Sequence, residues 1–218
     1  IGIDTEDEVD VKASNIKSTK QGITFDVKFK DDENTYSFKT KLLGVHNVYN
    51  ILSSLALANS FKTDKKKLVE SVSRIKPIEH RLELKKIGNF YQIDDAFNSN
   101  PVGASNALDV LDSMPGVKIV VTPGMIELGD KQYEENKKFG KHIAKVADKV
   151  ILVGEKITKA IKDGLEEEGF NKDNLYIIND VKDSYKMIQN FKEKSDIYAL
   201  YENDLPDSYV EKGDKKWL

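Results

Sequence analysis

The chain reads as an α/β protein: a Rossmann-like, mostly parallel sheet flanked by helices, preceded by a small antiparallel β plus helix segment. Three observations predict it. From Arg81 onward, short apolar runs rich in Val, Ile and Leu alternate with stretches of helical length, the pattern of a parallel sheet covered on both faces. Before that point, apolar residues alternate one by one, as in half-buried antiparallel strands. Between the two textures stands Pro77-Ile78-Glu79-His80-Arg81, where a domain boundary is expected, dividing the chain into residues 1–79 and 80–218.

The elements follow in order. Val9, Val11 and Ala13 alternate with polar residues, as do Ile23, Phe25, Val27 and Phe29. Tyr36 and Phe38 resume the alternation after the polar link Lys30-Asp31-Asp32-Glu33-Asn34. A period of two on both sides of such a link predicts a β-hairpin in a small antiparallel sheet. The period then changes. Val48, Ile51, Leu52, Leu55 and Ala58 recur at helical spacing over residues 47–61, with small residues between them that allow close packing. Asp64 is placed to cap a second helix over 65–74, which Pro77 ends. Further on, strands are predicted over 82–87, 90–94, 118–122, 149–153, 175–178 and 197–201, and helices over 102–112, 133–147, 157–168 and 182–191.

Bulk properties narrow the function classes. A length of 218 residues allows one large domain or two small ones. No apolar stretch is long enough to span a bilayer, so no membrane insertion is expected. A formal net charge of -3 offers no electrostatic footprint for nucleic acid. The absence of cysteine removes disulfides, thiol nucleophiles and cysteine zinc sites, and suits a cytoplasmic location. His46, His80 and His142 are too scattered for an evident metal cluster. No secretory signal is visible, and a first residue of Ile rather than Met suggests a piece of a longer protein.

There is no G-x-x-x-x-G-K-[ST] phosphate loop, no G-x-G-x-x-G and no G-x-S-x-G elbow. Four short segments carry polar side chains where a site is expected. The first is Gly44-Val45-His46-Asn47-Val48-Tyr49-Asn50. Asn47 and Asn50, three apart, share a helix face, and two amides can face a flat heterocycle such as adenine; the commoner use is a helix cap plus one exposed amide. The second is Pro77–Arg81, where Arg81 offers a planar fork for phosphate oxygens or a plain salt bridge. The third, Asp94-Asp95-Ala96-Phe97-Asn98-Ser99-Asn100-Pro101, lies at a strand's carboxyl end, where open α/β sheets bind ligands. Its carboxylates can accept from ribose hydroxyls, or the segment can be a capped turn. The fourth, Thr122-Pro123-Gly124-Met125-Ile126-Glu127-Leu128-Gly129-Asp130, follows a buried-strand candidate and has the glycines of a tight loop, or is an ordinary βα connection.

The order G-x-H-N-x-x-N, H-R, D-D-x-x-N-x-N-P, P-G-M-x-E-L-G resembles the Mur ligase family, and most closely its branch that adds D-alanyl-D-alanine to a UDP-N-acetylmuramoyl tripeptide. The resemblance runs from about Ala13 to the last strand. It implies an ATP-dependent ligase of peptidoglycan precursor synthesis, which forms an amide through an acyl phosphate. Residues 1–79 are then the end of the central ATPase domain and residues 80–218 the C-terminal Rossmann-like domain. The resemblance implies ATP and Mg2+ as cofactors, with the main phosphate and magnesium ligands upstream of this chain. It implies a nucleotide-sugar peptide and an amino acid or dipeptide as substrates. By motif, Asn47 and Asn50 border the adenine, Arg81 reaches the ATP phosphates, Asp95 holds the ribose, and Asn98 and Asn100 shape the cleft. The chain alone is then expected to lack ligase activity.

One stretch departs from the family. Where the branch's last strand runs into a basic K-G-S-R-G-like turn for the incoming dipeptide, this chain has Tyr198-Ala199-Leu200-Tyr201-Glu202-Asn203-Asp204-Leu205-Pro206-Asp207. The acidic turn leaves open a relative with another substrate, folylpolyglutamate-synthase-like or lipid-II-modifying. A non-catalytic binding module is a further alternative. Asn203 and Asp204 could meet an amino group there, or form a capped acidic loop.

Overall fold

The computed structural model describes residues 1–204, and the chain divides into two compact units, Ile1–Ile78 and Glu79–Leu218. The first holds β1 (Gly2–Ile3), β2 (Val11–Thr19), β3 (Gly22–Phe29), β4 (Thr35–Thr40), α1 (His46–Ser60) and α2 (Lys65–Ser73). The strands lie in the order β1-β2-β3-β4. Alternation in β3 buries Ile23, Phe25, Val27 and Phe29 on one face, where they pack with Val48, Leu52 and Leu55 of α1 and Leu68 and Val72 of α2. Phe25 stacks on Phe38 across the β3–β4 pair, with ring centroids 5.6 Å apart. The polar link closes the hairpin through Asp32, which accepts from the Asn34 N–H at 2.8 Å and the Tyr36 hydroxyl at 2.8 Å. Asp64 caps α2 as expected, accepting from the Lys66 N–H at 2.8 Å. Two details differ from expectation. Val9 precedes β2, and the two-residue β1 pairs with β2 in parallel, so the sheet is not wholly antiparallel. A two-residue strand carries no periodicity and is defined only by its partner.

The second unit holds β5 (Glu83–Ile87), β6 (Phe90–Asp95), α3 (Pro101–Asp112), β7 (Val117–Thr122), α4 (Gln132–Val146), β8 (Lys149–Val153), α5 (Lys159–Glu167), β9 (Leu175–Ile178), α6 (Val181–Asn190) and β10 (Ile197–Glu202). Its six strands lie in the order β5-β6-β10-β7-β8-β9. The β5–β6 pair is an antiparallel hairpin, and the remaining pairs are parallel. One face gathers Phe90, Ile119, Val121, Ile151, Ala199 and Tyr201 with Val181 and Ile188 of α6. The alternate residues Ile93, Val120, Leu152 and Leu200 are equally buried, which is why these strands read as continuous apolar runs. The last of the described strands, β10, lies in the interior of the sheet between β6 and β7. Strand β6 ends at Asp95 and β10 at Glu202, one residue beyond each predicted end. Both extensions are acidic residues held within the sheet.

Candidate active site

Asn47 and Asn50 lie on the first turn of α1. That turn has no side-chain cap, and its N-terminal residue is Val45. The Asn47 amide instead donates to the Leu43 carbonyl at 2.7 Å and approaches His46 Nε2 at 3.2 Å. Burial lowers the His46 pKa, so a neutral imidazole can accept there. Asn47 Oδ1 accepts from the Asn50 amide at 3.2 Å. The pair shares a face as expected, but the roles divide. Asn47 is engaged in holding the loop-to-helix turn and Asn50, while Asn50 is exposed.

In the second unit, the H-R and D-D motifs form one structure. His80 and Leu82, on either side of Arg81, have left-handed backbones, with φ of 59° and 49°. Such angles are unfavourable for non-glycine residues and persist only where the surroundings enforce them. The adjacent carboxylates do so. Asp94 Oδ2 lies 3.0 Å from His80 Nδ1 and also accepts from Lys85 Nζ at 3.0 Å. Asp95 Oδ1 accepts from the Leu82 N–H at 3.1 Å. Arg81 is thereby presented from a clamped turn, its guanidinium 4.2 Å from the centroid of the Phe97 ring, a stacking geometry in which its planar fork remains available. Burial pushes the Asp95 carboxyl up to about 6, opposed by the Leu82 N–H and by Arg81.

The rest of the third segment is partly structural. Asn100 caps α3, accepting from the Gly103 N–H at 3.0 Å, and Pro101 occupies the first turn, where its missing N–H costs nothing. Asn98 is exposed. Asp94 Oδ1 accepts from Ala96 N–H at 3.4 Å, so the capped-turn reading describes part of the segment. After β7, Gly124 adopts a φ of 86°. A side chain there would meet Asn136 Oδ1 at 2.8 Å. Asn136, buried on α4, grips the loop from both sides: Oδ1 accepts from the Met125 N–H and Nδ2 donates to the Met125 carbonyl, each at 2.8 Å. Glu127, at the loop's tip, is exposed. A groove of about 220 Å³ opens between α3, this loop and α4, lined by Pro101, Met125 and Phe139 with Ser105, Lys138 and His142.

Replacing Asn136 with alanine should leave two buried backbone groups unpaired and destabilise the second unit by about 2–4 kcal/mol. Denaturant unfolding reads this directly, and a loss below about 1 kcal/mol would mean that the loop finds other partners. Sequence reasoning did not find Asn136, which has no local signal, nor did it give Ser99, Thr122 or Glu202 a role. Thr122 and Glu202 end their strands, and a strand-end rule alone would have flagged them.

Residues 80–200 match the family model described as Mur ligase, glutamate ligase domain, and residues 1–58 match the Mur ligase middle domain. The chain belongs to the Mur ligase family. It is 28% identical over 192 residues to the UDP-N-acetylmuramoyl-tripeptide--D-alanyl-D-alanine ligase of Bacillus subtilis, covering 86% of this chain and 41% of that protein. A diaminopimelate-adding ligase of Listeria monocytogenes is 29% identical over 117 residues, 54% of this chain and 23% of the relative. Among solved structures, MurF from Acinetobacter baumannii superposes with a TM-score of 0.75 at 22% identity, over 89% of this chain and 42% of the other. The chain spans less than half the length of these relatives, and the similarity of the solved structure establishes the Mur ligase fold. No helix among the described residues is long and apolar enough to cross a membrane.

Proposed function

We propose that this chain is the nucleotide-facing part of an ATP-dependent ligase of peptidoglycan precursor synthesis. The ligase adds an amino acid or dipeptide to a UDP-N-acetylmuramoyl peptide in the cytoplasm. Residues 1–79 are the end of its central domain and residues 80–218 its C-terminal domain. The single observation that carries the reading is the clamped turn, in which two adjacent carboxylates hold Arg81 at a sheet's carboxyl edge inside a family-matched motif. The residues fit a nucleoside triphosphate. Within the second unit, Asp95 uses Oδ1 on the Leu82 N–H, and its carboxylate retains acceptor capacity for ribose hydroxyls, while Arg81 supplies a cation for phosphate oxygens. Within the first unit, the exposed Asn50 offers an amide suited to a heterocyclic base. Asn47 then serves by orienting Asn50, Asn100 by setting the start of α3, and Asn98 by its exposed amide in the segment that carries Asp95. ATP supplies the phosphoryl group that activates the acyl substrate. Magnesium would be held mainly by residues upstream of this chain, as the family resemblance implies.

The chemistry asked of these residues is positioning and charge neutralisation rather than nucleophilic attack. In the complete ligase, Arg81→Ala should therefore lower kcat/KM for ATP by roughly 10- to 100-fold, the loss of a charge-assisted contact worth about 1.5–3 kcal/mol. Initial rates at varied ATP measure it, and an unchanged value would remove Arg81 from the nucleotide site.

A further inference from the structure

Glu202 and Asn203 are buried at 1% and 3% exposure, at the carboxyl end of the strand that lies between β6 and β7. Each residue reaches both neighbouring chain segments. The Ser99 hydroxyl donates to Glu202 Oε1, and the Thr122 hydroxyl donates to Glu202 Oε2 at 3.3 Å. The Asn203 backbone N–H donates to the Asp95 carbonyl at 3.3 Å, and its side-chain amide to the Gly124 carbonyl at 2.6 Å. One bond from each residue thus goes to the end of β6 or the segment after it, and the other to β7 or its following loop. Glu202 and Asn203 of the acidic stretch are therefore engaged within the fold rather than offered to a substrate amine; its positions 205–207 lie outside the described residues. Glu202 is also in register with Asp95 across the parallel β6–β10 pair. Their side chains therefore leave the same face of the sheet, from strands about 4.8 Å apart.

We propose that Glu202 is a positioning residue for the nucleotide site: it ties Ser99, in the segment that carries Asp95, to Thr122, at the head of the glycine loop, and its protonation is coupled to that of Asp95. The functional half of this proposal rests on the nucleotide role given above to Asp95. Burial raises the Glu202 carboxyl to about 7, with the Ser99 and Thr122 hydroxyls opposing and Asp95 adding to the rise. With Glu202 protonated, the pair carries its single charge on Asp95, the group that must accept from ribose. With both ionised, two like charges lie on neighbouring strands, the Glu202 one fully buried. Asp94 and Arg81 act on Asp95 with opposite signs, while β7 and the segment before α3 present the hydroxyls of Thr122 and Ser99 to Glu202.

Carboxyl-detected NMR titration of this chain, without nucleotide, tests the coupling. Asp95 should titrate in two phases in the wild type and in one in Glu202→Gln, and Asp95→Asn should move the Glu202 midpoint down. An Asp95 curve unaltered by Glu202→Gln, or a Glu202 midpoint unaltered by Asp95→Asn, overturns the proposal. In the complete ligase, Glu202→Gln should keep KM for ATP within about threefold, because an amide can accept from one hydroxyl and donate to the other. Glu202→Ala should raise it roughly tenfold or more, with kcat changed less. Equal KM values for the two variants would also overturn it. If ATP is not the ligand, the kinetic arm fails already in the wild type while the NMR arm still reports the coupling, so the two failures are distinguishable.

Discussion

At about pH 8 the Glu202→Gln protein should resist denaturant better than the wild type, and this advantage should shrink to nothing toward pH 4. Burial raises the Glu202 carboxyl from 4.5 to about 7. Between those values the folded chain keeps a proton that the unfolded chain releases. Folding stability therefore falls as pH rises through that window, and the loss is complete above about pH 7. Its size is on the order of 3 kcal/mol. Asp95, raised by burial from 3.8 to about 6, adds a loss of the same sign beginning at lower pH, reduced by its partial exposure to solvent. Glutamine does not titrate and can keep both hydroxyl partners, so the variant loses the Glu202 part of the slope and retains the Asp95 part. Urea unfolding of both proteins at three pH values between 4 and 8 decides the matter. Stability curves that run parallel across this range would mean that Glu202 is ionised at no cost, and its coupling to Asp95 would not exist.

Gly140→Ala should destabilise the second unit by roughly 2–3 kcal/mol, lowering its melting temperature by about 5–10 °C. Gly140 of α4 and Gly164 of α5 are each buried, and each meets the other helix's backbone. A Cβ on Gly140 would stand 2.2 Å from the Ile161 carbonyl oxygen, and one on Gly164 would stand 2.2 Å from that of Lys137. The obstacles are backbone atoms, which cannot rotate away. Ordinarily alanine gains about 0.5–1 kcal/mol over glycine within a helix, so the expected sign is opposite to intrinsic propensity. A Gly140→Ala protein that melts at or above the wild-type temperature would show that the two helices can separate at little cost. The adjoining Lys137–Glu167 ion pair, 2.6 Å long, is at the surface and would not compensate.

Much of the architecture was legible because its causes are local. Strands β8 and β9 run over the residues expected of them, and α1 to α6 lie within two residues of their predicted ends, since burial on one face imposes a period that neighbouring residues reveal. Asp64 and Pro101 announced their helices by cap chemistry. The D-D-x-x-N-x-N-P segment was legible as a place of interest, and its apparent redundancy resolves by strand alternation. Asp94 and Asp95 leave opposite faces of β6. One binds His80 and Lys85, and the other holds Leu82 and faces Glu202. The role of Asn47 was less legible: a helix-start asparagine reads as a cap, whereas its side chain reaches back to Leu43, a choice set by loop geometry.

By itself, then, the sequence determined the element types, the two sheets, the family and the motif that carries Arg81 and Asp95. The tertiary structure decided which strand lies between which. A continuous apolar run states that β10 is buried but not that β6 and β7 are its neighbours, because parallel pairing is made between residues distant in the chain and leaves no local mark. That choice of neighbour carries Glu202 to Ser99, 103 residues before it in the chain, and to Thr122, 80 residues before it. It turns an acidic departure from the family pattern into the support of the proposed site.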